Sequence, residues 1–256
     1  GRLALYANTT GAYNTAVGAS AMQSVTTASN LTAIGYQALD ACTTGANNLA
    51  LGSGALTTCT TGSGNIAIGI NTGASLTTGT NNYMAGLAAA GSVTTGHSNV
   101  IIGYAAGDAI TTGNGHVMMG YNAGTAMTTN TQCTLIGYEA GDQITTGANN
   151  TCIGGHAGGA LTTGAQSVAI GTSALLAATT PTNSTCVGHD SGKAITTGGS
   201  NTYIGQGSGT ACTTGTGNIG IGNVAGDVIT TGANNVCIGV NTDPSGATAT
   251  QELAIG

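Results

Sequence analysis

The chain has no phenylalanine and no tryptophan, and its basic residues number two, Arg2 and Lys193. A compact globular core fills its volume with large side chains, and here the apolar residues are mostly Ala, Ile, Val and Leu, so any core must be thin. Nucleic acid and anionic membrane surfaces both require clustered Lys and Arg, which excludes both as partners. Charged residues make up 4% of the chain, and the formal net charge of -6 is spread singly along it. No apolar run approaches the length of a membrane-spanning helix, so no membrane insertion is expected. The seven cysteines do not form a disulfide framework. Six fall in repeat columns held by apolar residues and Cys133 replaces the usual Asn, which reads them as small hydrophobes. Cys42 and Cys59, in one column on adjacent repeats, are the one pair to check for a bond.

What the chain has is a period. From Gly1, a step of seventeen residues lands on glycine every time, through Gly18, Gly35, Gly52 and onward to Gly239 and Gly256. A fixed short period without insertions means a repeat architecture. With the anchor glycine as position zero, positions eight and nine are Thr-Thr in fourteen of fifteen periods, the exception being Ala247-Thr248. Position ten is usually Gly, position thirteen often Asn, and position sixteen Ile, Val or Leu with Ala85 and Met119 as departures. A helix needs an apolar stripe every 3.6 residues and few glycines. Each period instead alternates short β-favouring runs with Gly or Asn, the residues that supply corners of positive φ.

Seventeen residues suit one coil of a parallel β-solenoid, and the fold expected is all-β, with fifteen such coils stacked at the strand spacing. Residues 1–242 form the repeat and residues 243–256 a degenerate last coil leading out of it. If the Ile of position sixteen points inward, position fourteen does too and position fifteen faces out. Position fifteen then becomes an outward apolar column: Ala16, Ala33, Ala50, Ala67, Met84, Ile101, Met118, Leu135, Cys152 and Ala169, and on to Ala254. Such a column must be covered, so lateral self-association with closed, three-fold symmetry is expected.

The phrase N-x-A-[IV]-G, seen at Asn14-Thr15-Ala16-Val17-Gly18 and at Asn65-Ile66-Ala67-Ile68-Gly69, resembles the head repeat of trimeric autotransporter adhesins of the YadA type. The longer form, with Y-x-A-G or A-L followed by T-T-G and N-x-x-I-G, resembles repeats of phage tail-fibre and tail-spike proteins. Residues 243–256 resemble the break in repeats that often precedes a C-terminal self-cleaving chaperone in such fibres. The resemblance covers essentially the whole chain. It implies a parallel β-roll, a homotrimer, an extracellular or virion-surface location and a role in attachment. The period departs from the YadA type, whose coil is somewhat shorter with different corners.

Individual residues point to little chemistry. The eight acids sit singly, four of them (Asp40, Asp108, Asp142 and Asp227) at position five, without the paired groups that hydrolysis of a polysaccharide needs. The four histidines occupy four different columns, with no ligand spacing for a metal. Neither a cofactor nor a catalytic site is expected. Tyr104, Tyr121 and Tyr138 share position one on consecutive coils, a candidate strip for stacking on a cell-surface glycan, with corner packing as the plain alternative. The Thr columns raise ice binding by a monomeric solenoid. Adjacent residues of a strand face opposite ways, and position eight is expected to be the outward rank. The functional expectation is a non-catalytic structural or adhesive shaft of an extracellular fibre. Its alternatives are a surface-binding solenoid and a spacer in a non-viral filament.

Overall fold

The structure, a computed structural model, describes residues 1–256. It contains strands of three residues, one per period, and no helix. The chain forms two compact units, residues 1–131 and 132–256. The first holds β1 (Thr15–Val17) to β7 (Val117–Met119), and the second β8 (Thr134–Ile136) to β15 (Leu253–Ile255). Within each unit every strand pairs in parallel with the next, in a register offset by one period: Thr15 with Thr32, Ala33 with Ala50, Ala169 with Cys186. Each unit is a β-solenoid. Residues 243–256 keep this register to the end, with Val236 opposite Leu253 and Cys237 opposite Ala254.

Four corners shape each coil. The strand ends at the anchor glycine, whose φ lies between +126° and +143° from Gly18 to Gly239, a mirror-image extended conformation open to glycine. Positions two and twelve are left-handed in every coil, as in Gln37, Glu139 and His156 at position two and Asn47 and Asn149 at position twelve. Position four is left-handed in all but the last coil, and there the chain uses glycine, Ala90, Met22 or, unexpectedly, leucine, as at Leu5, Leu39, Leu56 and Leu175. A left-handed non-glycine residue costs roughly 1 kcal/mol. Burial of the leucine side chain, worth about 2 kcal/mol, offsets that cost.

The interior is built from positions three, four, seven, ten, thirteen and fifteen. At position thirteen Asn48, Asn65, Asn82 and Asn99 are buried. The Nδ2 of Asn65 donates to the Gly79 carbonyl at 2.9 Å, while its Oδ1 accepts from the backbone N and the Nδ2 of Asn82, both at 3.0 Å. This ladder satisfies the polar groups that a thin core would otherwise bury unpaired. His116 takes the next rung with a donation from its backbone to Asn99 Oδ1. Asn201, Asn218 and Asn235 form the same ladder in the second unit.

The rest of the interior is a volume exchange between positions four and seven. Where position four is large (Met22, Leu39, Leu56, Leu175), position seven is Val25, Cys42, Cys59 or Ala178. Where position four is Gly107, Gly141, Gly158 or Gly192, position seven is Ile110, Ile144, Leu161 or Ile195. The two side chains claim one space: a Cβ on Gly141 would stand 2.7 Å from Ile144 Cδ1, and one on Gly158 2.8 Å from Leu161 Cδ1. Gly209 has only Cys212 at position seven, and there the ring of Tyr203 fills the gap, 2.5 Å from where a Cβ would lie.

One expectation is reversed. Position fifteen points in: Ala33, Ala50, Ala67, Met84, Ile101, Met118, Leu135, Cys152 and Ala169 are 0% exposed, and Ala16, on the first coil, is half-buried. None of them is available as a lateral interface. The physical reason is room. The coil interior already holds the Asn ladder, the Ala column of position three and the large residue of position four or seven. It accepts on the strand only one residue per coil, mostly a small one, and sends the β-branched pair at fourteen and sixteen outside.

Candidate functional site

The outward residues of the strands therefore form the main surface feature. Position sixteen presents Val17, Ile34 and Ile68 in the first unit and Ile204, Ile221 and Ile238 in the second, with Ile34 at 43% exposure. Position fourteen adds Thr15 and Thr32, Thr134 and Thr151, Thr185 and Thr202, elsewhere Val, Ile, Leu or Tyr83. No charged residue occurs in either column. Strands of parallel sheets are ordinarily covered on both faces, and each unit here leaves an apolar parallel sheet face bare.

The Thr-Thr pair divides its labour in the opposite sense to that expected. The Thr43 hydroxyl of position eight donates to the Thr60 carbonyl at 3.2 Å, and that carbonyl also accepts the backbone N–H of Thr43 and of Thr44. The same bond recurs from Thr60 to Thr77 and from Thr196 to Thr213. Position eight is thus spent on the coil-to-coil ladder, and position nine, as in Thr44 and Thr197, is the exposed one.

Tyr104, Tyr121 and Tyr138 lie at the surface as expected, each about half exposed. Tyr104 and Tyr121 stack with centroids 5.1 Å apart and planes 8° from parallel. Their facing ring surfaces are consumed by each other, so this pair offers ring edges rather than a platform between them. Tyr138 belongs to the second unit, where its ring meets His156 edge-on at 5.2 Å, and His156 Nδ1 lies 3.4 Å from Glu139. Sequence reasoning left Glu139 and His156 unconnected. Both stand at position two, one coil apart, and that shared column was the signal.

The cysteines behave as packing residues. The Cys42 and Cys59 thiols donate to the Gly45 and Gly62 carbonyls. Burial pushes Cys42 up to about 11 and Cys59 up to about 12, far from the thiolate that a nucleophile requires. Comparison of the chain with protein-family models, with curated proteins and with solved structures gave no match.

His116, on the Asn ladder, is fully buried, its Nε2 3.0 Å from the Asn130 carbonyl. Burial, opposed by this bond, holds its pKa below the ordinary imidazole value. The unfolded chain then binds a proton that the folded chain refuses. Stability is full above about pH 6.5 and falls as the pH drops through that value, by at most about 1.4 kcal/mol per pH unit. His116→Asn restores the usual rung and is expected to remove this slope. Urea midpoints of both proteins at pH 7.5 and 5.5 measure it, and equal pH dependence would refute the assignment to His116.

Proposed function

We propose that the chain is a non-catalytic shaft segment of an extracellular or virion-borne fibre, in which copies associate laterally through the bare sheet face. The observation that carries this reading is the Ile and Val column of position sixteen, flanked by position fourteen and free of charge. Covering one such Ile on a neighbouring copy contributes about 1 kcal/mol, repeated once per coil. The need for a cover, first argued from position fifteen, thus passes to the columns on either side of it. The N-x-A-[IV]-G phrase supports the fibre reading by resemblance, with a homotrimer as the expected assembly. The remaining columns support it too, since the interior and the Thr ladder are committed to geometry.

Light scattering on residues 1–256 tests this. A mass about three times the 24.3 kDa of one chain is expected, and Ile204→Lys with Ile221→Lys, two charges on the exposed column of adjacent strands, should disperse it to monomers. A wild-type monomer would overturn lateral association.

One observation favours a second reading. The outward pairs Thr15/Val17, Thr32/Ile34, Thr134/Ile136 and Thr202/Ile204 set a hydroxyl beside an apolar group on a charge-free face, as a monomeric solenoid that binds an ordered surface such as ice would require. Thermal hysteresis from a monomer would establish that alternative.

A further inference from the structure

Four stretches of the form Asn-x-Ser/Thr occur in the chain: Asn8-Thr9-Thr10, Asn30-Leu31-Thr32, Asn149-Asn150-Thr151 and Asn183-Ser184-Thr185. This is the acceptor pattern of N-linked glycosylation, and a repeat rich in Asn and Thr produces it readily. The structure separates the four. Asn8 stands at position seven, and its Nδ2 donates to the Gly11 carbonyl at 3.1 Å. Asn30, Asn149 and Asn183 share position twelve, the exposed corner, at left-handed φ of 60°, 60° and 58°. Their side-chain amides make no hydrogen bond to the chain. The repeat explains why the pattern lands there. An acceptor Asn at position twelve puts the hydroxyl residue at position fourteen, on the outward side of the strand, where Thr32, Thr151 and Thr185 are half-buried. An acceptor at the buried position thirteen would need Ser or Thr at the inward position fifteen, and none of the ladder residues Asn48, Asn65, Asn82, Asn99, Asn201 and Asn218 has one.

The structure assigns Asn30 in the first unit, and Asn149 and Asn183 in the second, as acceptors of N-linked glycan. The donor is an oligosaccharide carried on a polyprenyl diphosphate, and an oligosaccharyltransferase is the partner that brings the two together. Nδ2 of the amide attacks C1 of the first sugar. The N–C1 bond forms as the bond from C1 to the diphosphate oxygen breaks, the amide gives up one proton, and the lipid diphosphate leaves; nothing is oxidised or reduced. A glycan is bulky and solubilising, and each one is attached two residues before the outward Thr of its own strand, at the edge of the bare sheet face. The assignment needs a secreted chain but no lateral association, which the mass of the unglycosylated chain tests separately.

The test secretes residues 1–256 from a eukaryotic cell line and maps glycopeptides by mass spectrometry, before and after a peptide-N-glycosidase that leaves Asp where a glycosylated Asn stood. Glycan is expected on Asn30, Asn149 and Asn183. Asn30→Gln, Asn149→Gln and Asn183→Gln should each remove one glycan and keep the fold by far-UV circular dichroism, because Gln132, Gln166 and Gln251 already occupy position twelve at φ 57°, 57° and 58°. Thr32→Val, which places at position fourteen the residue type of Val100 and Val117, should strip the glycan from Asn30 with the amide still in place, and Thr32→Ser should restore it. Absence of glycan from any one of the three overturns the assignment of that residue. Modification of Asn8 alone, or glycan on Asn30 that survives Thr32→Val, overturns the proposal.

Discussion

A Gly52→Ala chain is expected to be destabilised by about 4 kcal/mol, and a Gly62→Ala chain by about half of that. Both glycines are packed under the next coil: a Cβ would stand 2.2 Å from the Gly69 carbonyl oxygen in the first case and 2.4 Å from that of Gly79 in the second. Contact alone therefore predicts similar costs. The difference lies in the backbone. Gly52 has φ +140° and Gly62 does not have positive φ, so alanine at 52 adds conformational strain of about 1–3 kcal/mol that alanine at 62 avoids. The chain itself makes the comparison. The anchor is glycine in every period, whereas position ten carries Ala28, Asn130, Pro181 and Ala249. Pro181 settles the matter for that column, because proline fixes φ near −65°. Urea unfolding followed by far-UV circular dichroism measures both. Equal losses would mean that steric contact alone keeps the anchors glycine.

The same contrast shows what could be read from the sequence. The anchor column and the Asn-rich turn are legible because Gly and Asn are chosen for backbone conformation, although the left-handed residue is that of position twelve and the Asn of position thirteen forms the buried ladder. From these the solenoid and its period follow. The corner at position four is less visible, since Leu39 and Leu56 adopt the left-handed conformation for the sake of their buried side chains, and leucine gives no local sign of it. The direction of the strand failed for another reason. Alternation reveals a face only when one parity is polar, and positions fourteen, fifteen and sixteen are all largely apolar. The available signal was volume. Position sixteen is almost uniformly Ile or Val, as an outer column of repeated methyl groups allows, while position fifteen runs from Gly220 to Tyr203. A column whose size varies that widely is compensating for neighbours, and compensation happens inside.

Compensation between positions four and seven makes the second large prediction. Leu56→Gly removes a fully buried side chain, which costs about 3–5 kcal/mol, reduced by about 1 kcal/mol because residue 56 sits at φ 51°, where glycine is unstrained. A net loss of about 3 kcal/mol is expected. Cys59→Leu alone overfills the same coil, since Leu56 occupies the space that a larger residue at 59 would enter, and should cost about 2 kcal/mol. Together the two changes approach the coil of Gly158 and Leu161, in which Leu161 Cδ1 fills the volume above the glycine beside Cys152 Sγ of the preceding strand, where the Leu56 coil has the smaller Ala50. The double variant should therefore lie within about 1 kcal/mol of the parent, giving a favourable coupling of more than about 2 kcal/mol, large for a contacting pair. The converse pair runs the same way. Gly141→Leu places its Cβ 2.7 Å from Ile144 Cδ1 and 2.9 Å from Leu135 Cδ2, and Ile144→Cys should relieve the first of these contacts. Additive losses in the Leu56 and Cys59 cycle would show that each position packs against its own wall. Strong coupling would show that the chain conserves a fixed volume per coil and is indifferent to which of the two positions supplies it.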